Sequence, residues 1–237
     1  MKLIINTLIF YFLMCYGLQS QTNVGANIDS DLSVLSLRTY AIGTFDTRDV
    51  SYKGSPLLWD SWMYGTILLD GNKKYSPKEY QLNYNVLANL LYIRIGSQVF
   101  DMLLAKVVSL KLMTGLNEFT EYKAIDGEPS GLGLYEVLYA DENLELVKRT
   151  NIKMQKSFYN AALDVGDVKP KLKRSEALYI FKADKLFELP RNKKKLVSIH
   201  KETKDIKEIV TFFKENRVNL KDTEEIRSAL IEFNKNK

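Results

Sequence analysis

Tyr80-Gln81-Leu82-Asn83-Tyr84-Asn85 is the stretch on which the fold turns. Tyr80, Leu82 and Tyr84 fall on one side of an extended chain and Gln81, Asn83 and Asn85 on the other, and a period of two is that of a strand with a single buried face. On its N-terminal side Gly65-Thr66-Ile67-Leu68-Leu69 runs into Asp70-Gly71, a dipeptide that accepts the positive φ of a tight hairpin turn, and Lys73 to Tyr75 returns. On its C-terminal side residues 90–95 and 98–103 are joined by Gly96-Ser97, and Val108, Leu110 and Leu112 alternate with Ser109 and Lys111. Two more hairpins are expected: 134–139 with 144–148 across Asp141-Glu142-Asn143, and 177–181 with 186–189 across Ala183-Asp184-Lys185, closed by Pro190. Residues 126–131 read as a loop, and 151–175 as mixed structure in which Pro170 and the charged run from Lys169 to Arg174 form an exposed connection.

The period then changes. Ile206, Ile209, Val210 and Phe213 stand at the spacing of one apolar helix face, and Ile226, Ala229, Leu230 and Phe233 repeat it. Asp222 with Glu225 makes a capping box for the second helix, and 216–221 a turn between the two. A short helix over 194–201 is also expected. The predicted fold is α+β: a mainly antiparallel twisted sheet or partly closed β-barrel over residues 37–190, with two or three C-terminal helices in 191–237 packed on it. The helix faces that should meet the sheet carry Ile209, Phe213, Leu230 and Phe233.

The chain opens with Met1-Lys2 and an apolar run to Cys15, interrupted only by Asn6 and Thr7, before Tyr16-Gly17-Leu18-Gln19-Ser20. A short basic start, an apolar segment too short to span a bilayer and a small residue at the cut make residues 1–20 a signal peptide, with the mature chain starting at Gln21. Acylation of Cys15 is the alternative. Residues 21–36 read as a flexible arm. Cys15 is the only cysteine of the 237 residues, so a chain cut after Ser20 folds without disulfides even in a compartment that permits them. The expected location is exported, periplasmic or at the cell surface.

With 46% hydrophobic and 27% charged residues, and only 5 Pro and 12 Gly, the composition excludes a disordered or collagen-like chain. Charge is divided unevenly: residues 21–146 carry a net −6 and residues 147–237 a net +10. A basic half favours an anionic partner such as a lipid headgroup, a polyanionic glycan or an acidic protein. The densest basic cluster, Lys193-Lys194-Lys195 with Lys201, Lys204 and Lys207, reads first as solvated helix surface. Export puts nucleic acid out of reach, so an envelope protein or an anionic envelope component is the expected partner. Membrane contact is expected only through the leader or a lipid on Cys15.

Chemistry is sparse. His200 is the only histidine and falls near a helix end, where its charge would be favoured; no G-x-S-x-G accompanies it. Zinc lacks ligands, and Asp29-Ser30-Asp31 and Asp46-Thr47-Arg48-Asp49 do not continue into a calcium loop. Gly127, Gly131 and Gly133 fit neither phosphate loop nor dinucleotide fingerprint. No catalytic residue, metal or cofactor is therefore assigned. The candidate binding residues are Trp59, Trp62 and Tyr64, an aromatic cluster holding both tryptophans, whose rings offer rigid contact area for a sugar or a peptide; packing into the sheet is the competing reading.

Lys53-Gly54-Ser55-Pro56-Leu57, Trp62, Gly65-Thr66-Ile67 with Asp70-Gly71, the strand Tyr135-Glu136-Val137-Leu138 leading to Leu144-Glu145-Leu146-Val147-Lys148, and the Lys-rich double-helix ending together resemble a group of uncharacterised exported proteins of the Bacteroidota. The resemblance covers most of residues 50–235. It implies export and an α+β build, and no catalytic residue.

Poverty in His and Cys favours a non-enzymatic binding or structural module, since the commonest bases, nucleophiles and metal ligands are scarce. The rivals are a carboxylate-dependent hydrolase acting on glycan, which needs two carboxylates facing a groove, and a lipocalin-like carrier, which needs a roomy apolar interior.

Overall fold

The computed structural model describes residues 52–71, 73–75, 80–127, 131–160, 165–192 and 204–235, all within one compact unit that runs from Thr44 to Lys237. The expected leader with Cys15, the arm expected at 21–36, the paired aspartates at 29–31 and 46–49, Lys193-Lys194-Lys195 and the helix expected around His200 lie outside the described residues.

The architecture is α+β, a curled, mostly antiparallel sheet with two C-terminal helices. Eight strands form the large sheet in the order β13-β12-β9-β8-β7-β6-β1-β2: β1 Gly65–Leu69, β2 Lys73–Tyr75, β6 Val107–Gly115, β7 Glu118–Ile125, β8 Gly133–Ala140, β9 Glu145–Gln155, β12 Lys171–Lys182 and β13 Lys185–Leu189. A second sheet holds β3 Tyr80–Asn85, β4 Leu90–Ile95 and β5 Gln98–Leu103, and a third the short pair β10 Phe158–Asn160 and β11 Val165–Asp167. Positive φ closes the turns: Gly71 (φ 77), which has no Cβ to oppose it, follows β1, and Ala183 and Asp184 (φ 48 and 59) take it between β12 and β13. At Gly65 the reason is contact: a Cβ there would stand 2.6 Å from the Lys111 carbonyl oxygen and from Leu112 Cδ2 of the neighbouring strand.

Helices α1 Lys204–Glu215 and α2 Thr223–Lys235 cover one end of the sheet. Ile209, Val210 and Phe213 of α1 and Ile226, Leu230 and Phe233 of α2 share a buried cluster with Leu144 and Leu146 beside and on β9, Ile180 of β12, and Phe187 and Leu189 of β13. Phe212 meets Phe233 edge-on at 5.5 Å. Only half of the expected capping box forms. Asp222 Oδ1 accepts from the Glu224 and Glu225 amides, but the Glu225 carboxylate accepts from the Asn219 N–H and so braces the turn. A smaller cluster on the opposite face joins Ile125, Tyr135, Val147, Tyr179 and Leu186.

The structure corrects two further expectations. Residues 151–155 and 171–176 are a continuous antiparallel ribbon, with β9 and β12 in register over eleven pairs from Lys171↔Gln155 to Phe181↔Glu145. Pairing across the ribbon satisfies the backbone and overrides the weak strand preference of a Lys-rich run. In β3, Asn83 is 1% exposed, although the alternation puts it with Gln81 on the polar side. Residues 57–63 run along the free edge of β3, bridged at Leu57↔Asn85 and Met63↔Leu82, and fold over Asn83, which donates to the carbonyls of Trp59 and Ser61.

Candidate functional site

Residues 52–63 form a strap between the two sheets. At its start the Lys53 N–H donates to the Pro170 carbonyl at 2.8 Å, and the Leu172 N–H donates back to Lys53 at 2.9 Å. Gly54, at φ 103, is tight against Leu172. The Arg174 guanidinium then donates to the carbonyls of Leu57 (2.5 Å) and Leu58 (3.0 Å). Asn83 locks the other end: its amide donates to the carbonyls of Trp59 (2.9 Å) and Ser61 (3.3 Å), and its oxygen accepts from the Tyr84 N–H at 2.8 Å. A buried amide meets its hydrogen-bonding demand here by fixing the turn that carries both tryptophans.

The candidate aromatic residues go to three different neighbours. Trp59, half-buried, meets Tyr122 edge-on at 5.2 Å and donates its indole N–H to the Tyr122 hydroxyl at 3.1 Å. Trp62, also half-buried, lies under the Arg94 guanidinium at 4.8 Å. Tyr64 is 47% exposed. Its carbonyl accepts from the Met113 N–H at 2.8 Å, Met113 pairs with Phe119 across β6 and β7, and these two side chains are 47% and 51% exposed. Leu116, in the turn between those strands, is 97% exposed. Tyr64, Met113 and Phe119 thus make an apolar row on the surface, which alternation in β6 alone would not reveal because its partners come from two other segments.

Beneath Trp59 the large sheet carries a row in direct register, Ile67-Leu110-Tyr122-Glu136-Lys148-Leu178-Leu189. Its ends are apolar and its middle is polar. Lys148 Nζ stands 2.8 Å from Glu136. Burial pushes the Tyr122 hydroxyl up to about 12; the Trp59 N–H opposes that rise and Glu136 adds to it. On the opposite face Lys123 Nζ lies 2.5 Å from Glu145 Oε1, and Arg149 donates to the Tyr135 hydroxyl at 3.0 Å and to the Gly131 carbonyl at 3.2 Å. Gly133 makes room for that guanidinium, since a Cβ there would meet Arg149 Cζ at 2.6 Å. Tyr84, from the second sheet, is likewise pushed up to about 12 by burial, against the pull of Arg149.

A cleft of about 320 Å³ opens where the β8–β9 turn meets α2, lined by Tyr139, Asp141, Glu142, Lys182, Phe233 and Asn234 among others. Asp141 is its centre. One oxygen accepts from the Asn143 and Leu144 amides at 2.6 and 2.8 Å; the other accepts from the Tyr139 hydroxyl at 3.0 Å and from Asn234 Nδ2. Burial raises the Asp141 pKa, but these four donors outweigh it and hold the carboxyl below the usual range. A carboxylate with every lone pair engaged is a clasp between turn and helix. General-acid catalysis needs the opposite, a carboxyl whose pKa is raised. Among the described residues no three His, Cys, Asp or Glu side chains are grouped as a metal would need, and no helix is long and apolar enough to cross a membrane.

The chain matches no family model, no curated protein and no solved structure.

Proposed function

We propose that the chain is an exported envelope protein that acts as a non-enzymatic interaction module, and that it meets a protein partner through the row Tyr64, Met113 and Phe119 with Leu116 at its edge. The observation that carries this reading is the exposure of that row. Three large apolar side chains side by side, each about half exposed, leave apolar area in water that a partner would cover. Trp59 and Trp62 serve the module from inside, holding the strap from which Tyr64 emerges. The hydrolase alternative is weakened by the ties on the carboxylates: Glu136 holds Lys148, Glu145 holds Lys123 and Asp141 holds the β8–β9 turn.

A photo-cross-linking residue placed at Met113 in the producing cells tests the contact, with the same residue at exposed Glu232 of α2 as control. A discrete adduct at Met113, absent at Glu232 and lost when Tyr64→Ser and Phe119→Ser are combined, is the expected result. Equal adducts at both positions, or none, would overturn the reading. Export is tested separately by the intact mass of the recovered protein, which should begin at Gln21.

A further inference from the structure

Beyond residue 149 the β9–β12 pair leaves the large sheet. β8 pairs with β9 only as far as Arg149, and β13 pairs with β12 only from Leu178 onward. Six pairs, from Glu176↔Thr150 to Lys171↔Gln155, therefore run as a two-stranded ribbon about 20 Å long. Side chains directly opposite each other share a face, so the register divides the ribbon in two. The strap side carries Thr150 with Glu176, Ile152 with Arg174 and Met154 with Leu172; Leu172 packs on Gly54, and Arg174 binds the strap carbonyls. The opposite side carries Asn151 with Ser175, Lys153 with Lys173 and Gln155 with Lys171.

All three lysines of that opposite side are exposed. Lys153 and Lys173 face each other, which brings their Cα atoms to about 4.5–5.5 Å, and like charges so placed destabilise a sheet. Among the described residues no carboxylate is paired with either, nor with Lys171. The carboxylate of the ribbon itself, Glu176, belongs to the strap side. One row further in, Arg149 stands on the lysine side opposite Ala177 and adds a fourth cation to the strip. None of the side chains that the six pairs place on this side is apolar.

We infer that this side of the ribbon binds an acidic polysaccharide, a linear chain of sugars bearing carboxylates, laid along the strands. The charge is complementary to any anion, and two features choose among anions. Without apolar side chains the face gives nothing to the interfacial layer of a bilayer, where peripheral attachment draws on apolar burial as well as charge. The lysines are also interleaved with Asn151, Ser175 and Gln155, whose amides and hydroxyl both donate and accept. A uronate chain presents hydroxyls to them between its carboxylates, whereas a polyphosphate presents acceptors alone. Positions on one face repeat about every 7 Å along a strand, so the neutral row Asn151–Ser175, the charged row Lys153–Lys173 and the mixed row Gln155–Lys171 follow one another along the path of such a chain. The site is separate from the Tyr64 row on β6 and β7 and does not rest on that reading.

The experiment is titration of the recovered, mass-verified protein into fluorescein-labelled oligogalacturonate, followed by anisotropy, with labelled dextran and labelled polyphosphate as comparisons. Binding to oligogalacturonate that weakens as salt is added, with none to dextran, is expected. Lys153→Gln with Lys173→Gln removes two exposed charge contacts and should weaken binding about tenfold. The charge-matched control Lys221→Gln with Lys235→Gln, at exposed positions of the helical segment, should leave it unchanged. Asn151→Ala with Gln155→Ala should weaken the grip on oligogalacturonate by about twofold or more and leave that on polyphosphate as it was. Equal losses in the control and lysine variants would reduce the effect to net charge and overturn the assignment. So would failure to bind oligogalacturonate, equal binding to dextran, or amide replacements that spare oligogalacturonate, which would leave a plain polyanion surface. Lys171→Gln, outside the opposed pair, decides the charge question if the double variant shifts the melting temperature.

Discussion

From Glu145 to Arg149, β9 lies between β8 and β12 and carries Leu146 and Val147 into two different cores; from Thr150 to Gln155 it has β12 alone beside it and carries Lys153 into solvent. The backbone pairing is the same at both ends. What differs is the third layer, two helices at one end and a thin strap on one side of the other. Backbone hydrogen bonds alone therefore do not distinguish a structural strand from an exposed one, because each adds little net stability. The apolar area covered from above does, at roughly 25 cal/mol per Å².

The largest effect should come from the helix-covered end. Phe213 is 1% exposed among Leu146, Ile180 and Phe187, so Phe213→Ala should lower stability by about 3–5 kcal/mol in chemical denaturation. A loss no larger than that of Met154→Ala, at the bare end, would erase the contrast.

The strap is tested through Asn83. Asn83→Ala leaves the carbonyls of Trp59 and Ser61 without their donor, at about 1–3 kcal/mol for the groups left unsatisfied. Trp59 fluorescence should shift red as the indole gains water. Gln98→Ala, exposed on β5 of the same sheet, should show neither change.

Alkaline titration sharpens the contrast between the strap-covered interior and the surface. Tyr84 and Tyr122 have folded values raised from 10 to about 12, so the neutral phenols favour the fold. Their contribution is complete below pH 10 and disappears as pH rises through 12. Tyrosinate absorbance should show a late fraction that titrates with loss of structure, and Trp59→Phe, which removes the indole N–H from Tyr122, should leave that phenol at least as hard to ionise.

The smallest effect has the opposite sign. Lys173→Glu places a carboxylate across from Lys153, and relief of repulsion should raise stability by about 0.2–1 kcal/mol. A fall in melting temperature would mean that the two lysines do not repel each other across the ribbon.

The candidate site was legible in part. Trp59, Trp62 and Tyr64 stand out as a cluster along the chain, yet tertiary structure sends them to Tyr122, Arg94 and open solvent respectively. Sequence proximity within an irregular segment does not say where side chains point, since no period constrains it. Met113 and Phe119 carry no local signal for surface contact. Each looks like an ordinary strand apolar, and only their pairing beside Tyr64 makes a row. Asp141, recognisable as a turn residue, owes its role as a clasp to Asn234, ninety-three positions away.

What the sequence by itself determined was local: the period-two strands around Tyr80–Asn85, the turns at Asp70-Gly71 and Gly96-Ser97, and the period change that makes the last residues two helices. These depend on side-chain alternation and on backbone angles that a few neighbouring residues set. Tertiary structure alone decided that 151–155 pairs with 171–175, that Asn83 is buried under a strap, and that Lys153 faces Lys173. Each of these depends on which distant segment arrives alongside, and the free energy that selects the partner comes from area covered across the whole fold, a quantity no short window of residues contains.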